Sequence, residues 1–253
     1  MFLAYATRLV LLKNMLNSLA LNQYIMQDDL DEYGAGAEKE DYDIEFGELL
    51  REHFSDFGWN YTGILKEDGD TIPIPATSTC VTAIFETDAV EELRSLTDQL
   101  DAELIEPDHT RQYPDVTLRG GAFGSNLIAL DIKTARRNHN NADKLDGPMT
   151  LGSYAGYFQN PHEESPWTKY PYGQYDEHWI LCFAHYWDDE EDSQGMVSGV
   201  ETIIGEKWTL ASEKTGTGTT NHMASVRSIP DLKAGNGDFD SEEEFEEYWR
   251  SYD

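Results

Sequence analysis

Basic residues are scarce in this chain: 18 Lys and Arg stand against 49 Asp and Glu in 253 residues, a formal net charge of −31. Taken alone, that imbalance argues against an electrostatic grip on a polyanion such as DNA. The argument depends on salt. At about 1 M the Debye length is only ~3 Å, so the global charge is screened and only local contacts count. Acidity of this degree suits solubility in a salt-accumulating cell, and a halophilic source is expected. Cysteine is nearly absent. Cys80 and Cys182 occur in no CxxC or Cys/His spacing, which excludes a disulfide framework and a zinc module. A long apolar run is missing too: Phe2 to Leu12 is broken by Arg8 and followed by Lys13 and Asn14, too short to span a bilayer, and no A-x-A-like cleavage site follows it. A cytoplasmic location is expected.

What the chain does have is 10 Phe, 14 Tyr and 6 Trp, enough apolar surface for one principal domain. Residues 1 to 27 carry no acid and 28 to 45 are crowded with them, so 1–44 reads as an acidic, poorly ordered arm, with Met15 and Met26 as further candidate starts. Residues 45–253 then form the folded domain. Phe46, Leu49, Leu50 and Phe54 recur at helical spacing, and Ser78 to Leu104 carries apolar residues every three to four positions, predicting long helical structure. Trp179 to Tyr186 and Val200 to Leu210 predict strands around the solvated acidic loop Asp188 to Asp192. Ser241-x-x-Glu244 is a capping-box signature opening a last helix with Phe245, Tyr248, Trp249 and Tyr252 on one face.

The chemistry-bearing pattern lies between. Tyr113-Pro114-Asp115 precedes an alternating segment to Arg119, and Leu127 to Ile132 is a second short strand after a turn-rich stretch, which predicts a hairpin. Asp131 and Lys133 then project from one face, and the hairpin brings Asp115 beside them. Two hard carboxylates suit Mg²⁺, which phosphodiester hydrolysis uses to acidify water and neutralise growing charge. A lysine beside them can orient the attacking water and stabilise the pentacovalent transition state. On spacing alone the same residues also fit a surface ion pair at a strand end, and the nearby Arg136 and Arg137 fit either phosphate contact or a solvated turn. Arg137-Asn138-His139-Asn140-Asn141 has part of an HNH pattern but lacks the second His. His178 and His185, flanked by aromatics, fit core histidines better than ligands.

A series of blocks in order carries a resemblance over roughly three quarters of the chain, from about Gly63 to Tyr252. They include Ile84-Phe85-Glu86, Tyr113-Pro114-Asp115, Ile128 to Thr134, Thr150-Leu151-Gly152, His178-Trp179-Ile180, Thr219-Thr220-Asn221 and Phe239-Asp240-Ser241-Glu242 leading to Tyr248-Trp249-Arg250. With these blocks the chain resembles the EcoRV-like type II restriction endonucleases of the PD-(D/E)xK superfamily. The resemblance implies an α/β (α+β) fold, a central mixed sheet flanked by helices. It implies metal binding by Asp115 and Asp131, catalytic assistance from Lys133, and a further active-site acid at Glu86, also a metal ligand, on a helix of the dimer interface. By itself Glu86 is only an acid on an amphipathic helix. Gly216, Gly218, Thr219, Thr220 and Asn221 match the family's base-reading loop, where Gly allows close backbone approach and Thr and Asn supply polar contacts. A Gly/Thr linker is the other reading of that stretch.

The implied activity is Mg²⁺-dependent double-strand cleavage of DNA within a palindrome of GATATC type, leaving blunt ends, by a homodimer. Dimerisation helices are expected over about 45–105, the catalytic hairpin over about 113–134 and the DNA-recognition region over about 200–230. A cognate DNA methyltransferase is expected in the same cell. Three departures bear on the target: the loop is one residue shorter than the family's, His109 and Thr110 replace a glutamine pair, and the chain stops at Asp253 where the family runs on into a basic tail. A non-catalytic acidic interaction protein, a decayed nuclease and a structure-specific repair nuclease are the alternatives.

Overall fold

The computed structural model describes residues 46–216 and 219–252; the arm expected over 1–44, Met15 and Met26 included, lies outside the described residues. The chain opens with α1 (Phe46–His53), a short hairpin of β1 (Ile64–Leu65) and β2 (Thr71–Ile72), and α2 (Ser78–Gln99). Thr77 caps α2 by accepting the Cys80 amide at 3.3 Å, as a β-region Thr at an N-cap does. The helical rhythm read to Leu104 stops at Gln99. Leu104 belongs instead to β3 (Glu103–Ile105), after Asp101 takes a left-handed φ of 52°.

There follow β4 (Val116–Arg119), β5 (Leu127–Asn138), β6 (Asn141–Leu145), β7 (Thr150–Ser153), the short α3 (Tyr154–Phe158), β8 (Glu177–Trp187) and β9 (Val197–Glu206). The last four residues of the strand expected over Val200 to Leu210 are in fact a one-turn helix, α4 (Lys207–Leu210), so the apolar alternation there spans two elements. β10 (Ala211–Gly216), β11 (Thr219–Ser225), α5 (Ile229–Ala234) and α6 (Glu242–Arg250) complete it. The capping box over α6 forms with a shift: Ser241 accepts the Glu244 amide, while the Glu244 carboxylate reaches the amide of Asp240 at 2.8 Å, one residue further back than the usual pattern.

The main sheet runs β3-β4-β5-β8-β9, with β6 attached to β5. β5 and β8 are parallel, their neighbours antiparallel, so the sheet is mixed. β8 is almost continuously buried and faces two layers, as a central strand must. Its Trp179 and Phe183 point towards the helices, Trp179 edge-on to Phe46 and Phe183 stacked on Phe57 and Phe85. Its Ile180, Cys182 and Ala184 point into a second core that includes Tyr113, Tyr157, Tyr172 and Trp249. Gly152 is required at the edge of that core: φ is +103°, and a Cβ there would meet the Tyr157 ring at 2.4 Å. A separate three-stranded sheet, β10-β11-β7, carries the β10–β11 hairpin. Both cysteines are free. No helix among the described residues is long and apolar enough to cross a membrane.

Candidate active site

The hairpin read from the sequence forms. Val116 pairs with Leu130, so Asp115, one residue earlier, lies opposite Asp131. The Asp115 Oδ2 accepts the Ile132 amide at 2.6 Å, which continues the ladder into a side chain. On the other side β5 pairs with β8, Asp131 beside Ile180 and Lys133 beside Cys182. Lys133 Nζ stands 2.7 Å from Asp131 Oδ1 and 3.9 Å from Asp115 Oδ2. Asp131 is 5% exposed, whereas the side chains of Asp115 and Lys133 each keep a quarter of their surface, so the group opens to solvent on their side.

Electrostatics follow from that crowding. Burial pushes the Asp115 carboxyl up to about 8; Lys133 opposes the shift and the adjacent Asp131 adds to it. Burial alone would raise Asp131 as well, but the charges of Lys133 and then Lys207 hold it below the ordinary carboxylate range. Lys133 is raised, because Asp131 and Asp115 outweigh the burial that opposes its charge. It is therefore a fixed cation, suited to donate and to stabilise negative charge rather than to accept a proton.

The donor set fits a hard divalent cation. Two carboxylates face each other beside one ammonium, and burial, with the Asp131 charge adding to it, raises the Asp115 carboxyl; a cation at the pair would favour its ionised form. Among the described residues no three His, Cys, Asp or Glu side chains make a ready cage. An open pair matches Mg²⁺, which keeps several waters and binds through one or two carboxylates plus phosphate. Glu86 sits on α2, packed against the opposite face of the sheet, where Thr82 meets Thr134 at 2.7 Å. Partly buried, it is raised by burial and feels the charges of Lys133 and Asp131, with no hydrogen bond or ion pair to either.

The other candidate residues separate. Arg136 and Arg137 turn onto the rings of Trp187 and Tyr186, at 4.5 and 4.6 Å, and Arg137 also pairs with Glu201 at 3.3 Å. His139 lies in the β5–β6 turn against the Trp187 carbonyl. His185 and His178 are buried, as their aromatic flanks predict. Gly216 ends β10 and pairs with Thr219 at the start of β11, and Asn221 is exposed further along. Gly218 and its neighbour Thr217 lie outside the described residues.

Sequence reasoning missed Lys207. It is 1% exposed and donates from Nζ to the Tyr113 hydroxyl at 2.7 Å. The Tyr113 hydroxyl in turn lies 2.8 Å from His178 Nδ1, and the His178 ring stacks on Tyr172 at 3.8 Å. The one available signal was a cation inside the apolar stretch from Val200 to Leu210, which a solvated strand face explains equally well.

Comparisons with known proteins bear on the family. The sequence model of the family described as "Restriction endonuclease EcoRV" matches residues 55–253. The type II restriction enzyme EcoRV of Escherichia coli is 28% identical over 209 residues, covering 77% of this chain and 83% of that enzyme.

Proposed function

From the premise that this chain belongs to the EcoRV restriction endonuclease family, and is a type II site-specific deoxyribonuclease acting on double-stranded DNA, we propose that it cuts a palindromic site with Mg²⁺ held by Asp115 and Asp131. The observation that carries the assignment is the convergence of Asp115, Asp131 and Lys133, with the Lys133 ammonium within 3.9 Å of both carboxylates, on the central strand of the sheet and the residue preceding its neighbour. Bound there, the cation would acidify a water and neutralise charge growing on the scissile phosphate. Lys133, kept protonated, supplies a positive charge on the same side. Asp131, buried and held ionised, is the fixed ligand. Asp115 is the more open one, and its proton must leave when the cation enters. Glu86 is proposed as a further acid of the centre and a metal ligand, near enough to feel the charges of Lys133 and Asp131.

Gly216 to Asn221, from the end of β10 into β11, is proposed to read base edges, with a target of GATATC type and blunt ends. A palindromic target calls for two copies of the centre related by a two-fold axis. Three of the four large hydrophobics exposed among the described residues, Ile64, Leu65 and Ile72, lie on the β1–β2 hairpin, a patch suited to a second copy of this chain. The setting would be the cytoplasm of a cell protected by a cognate methyltransferase.

The test is digestion of plasmid DNA with Mg²⁺ across a range of KCl, followed by mapping of the cut ends. Discrete fragments with blunt ends at one palindrome support the reading. Random nicking, or equal activity of Asp131→Ala, refutes it. Sedimentation of Leu65→Asp, expected to shift towards monomer, tests the second copy.

A further inference from the structure

Lys207 begins α4, and its ammonium sits among aromatic faces, 3.9, 4.8 and 5.3 Å from the ring centroids of Tyr113, Tyr157 and Tyr172. It makes no ion pair among the described residues; the charges of Asp131 and Asp115 reach it, but no carboxylate touches it. Burial brings its pKa down to about 7 against the opposing charge of Asp131; burying an amine in this way is costly, and a methionine of similar length would fill the space without that cost. A core that needed only volume has no use for the amine.

The contacts show what the amine does locally. Lys207 donates to the Tyr113 hydroxyl, which leaves that hydroxyl's own proton for His178 Nδ1. His178 is suited to accept it, since burial and the Lys207 charge keep the imidazole neutral. The Tyr113 main chain is fixed separately: its amide donates to the Trp167 carbonyl at 2.8 Å, and its carbonyl accepts the Lys169 amide at 2.7 Å. Tyr113 is thus clamped at main chain and side chain, two residues before Asp115, and the side-chain clamp ends on β8, the parallel neighbour of the strand that carries Asp131.

We propose that Lys207 is a positioning residue for DNA cleavage: through the Tyr113 hydroxyl it fixes the Tyr113-Pro114-Asp115 segment and so sets Asp115 against Asp131. Lys207 touches neither DNA nor the reacting atoms in this role. The inference rests on the proposed assignment of Asp115 and Asp131 as the working pair.

The experiment compares Lys207→Met, Tyr113→Phe and the double variant with the parental protein and Asp131→Ala, on a plasmid that the parental protein cuts. It records the single-turnover rate at saturating Mg²⁺ and the affinity for a duplex bearing the cut site. Misplacement of a catalytic group slows the step without weakening binding, so both single variants are expected to cleave about tenfold or more slowly with affinity within about twofold. Because Lys207 acts through Tyr113, the double variant should be no slower than the slower single variant. Parental rates in both singles overturn the proposal. So does a parallel loss of affinity and rate, or two effects that multiply in the double variant. If Lys207→Met does not fold, Tyr113→Phe, which removes one oxygen, decides by the same criteria. Asp131→Ala separates the two levels: its activity at the parental rate would refute the site itself, whereas its inactivity beside unaffected Lys207→Met and Tyr113→Phe would refute only the role of Lys207.

Discussion

The carboxylate of Asp115 accepts the amide hydrogen of Ile132 at 2.6 Å, so one acid of the pair is bonded to the main chain between the other acid and the lysine. A strand amide holds its position more firmly than a side chain, and Asp115 is therefore set by β5 as much as by its own strand. The arrangement is fixed before any ligand arrives, which is the condition for electrostatic catalysis.

Asp115→Ala, Asp131→Ala and Lys133→Ala should each reduce cleavage by about 10³-fold or more, the several kcal/mol associated with removing a metal ligand or a transition-state charge. The fold should persist, since Asp115 and Lys133 keep a quarter of their side-chain surface exposed and Asp131 lies directly beside them. Plasmid linearisation with Mg²⁺, beside circular dichroism of each variant, checks both halves. A folded Asp131→Ala that cuts normally would remove the basis of the assignment.

Asp115 couples the site to pH. Its folded pKa is raised, from 3.8 to about 8, so without a cation its contribution favours the fold fully below about pH 3.8 and is lost as pH rises through about 8. An entering cation must displace the Asp115 proton, so Mg²⁺ affinity should rise between pH 6 and 8, with up to about one proton released per site at the lower end. Calorimetry in buffers of different ionisation enthalpy reads the proton count directly. Affinity that is flat over this interval, with no proton release, contradicts the shift.

At the β10–β11 hairpin, Asn221→Ala should weaken cleavage of the preferred site more than binding to random duplex. Loss of a good base-edge contact costs about 1–3 kcal/mol of discrimination, or roughly ten- to a hundredfold. Competition between the mapped site and an unrelated duplex measures it. Equal losses on both would make Asn221 a structural residue of β11.

Salt should act in the unusual direction. With a net charge of −31 per chain, self-repulsion at low ionic strength opposes both compaction and pairing, and screening relieves it. Phosphate contacts weaken with salt, but a chain with 18 basic residues has few to lose. Cleavage rate and ellipticity should therefore increase together from 0.1 towards the molar range of KCl at fixed Mg²⁺. A protein that is most stable and fastest at 0.1 M would contradict the halophilic reading.

Local patterns gave local structure. The apolar rhythm around Phe46, the capping box at Ser241 and the hairpin from Asp115 to Ile132 all form, because each depends on residues close together in the chain. Two misreadings share one cause: apolar spacing continues through Leu104 and through Leu210, although the backbone changes element at each, and periodicity does not register a turn whose side chains stay buried. The parallel pairing of β5 with β8 was not legible, since nothing near residue 131 encodes a partner near 180. Lys207 was hidden for the same reason: its meaning lies in Tyr113, 94 positions away.

The two sheets have a consequence for how such an enzyme diversifies. Asp131 and Lys133 belong to the six-stranded sheet locked around β5 and β8, while the β10–β11 hairpin belongs to the other sheet, with β7 as its inner neighbour. A residue gained or lost between β10 and β11 changes that hairpin without sliding the register of β5 and β8, a pairing in the other sheet. With target reading in the hairpin and cleavage at Asp131 and Lys133, as proposed, chemistry and address would be free to drift separately, and a lineage could explore new targets while its cutting apparatus stays intact.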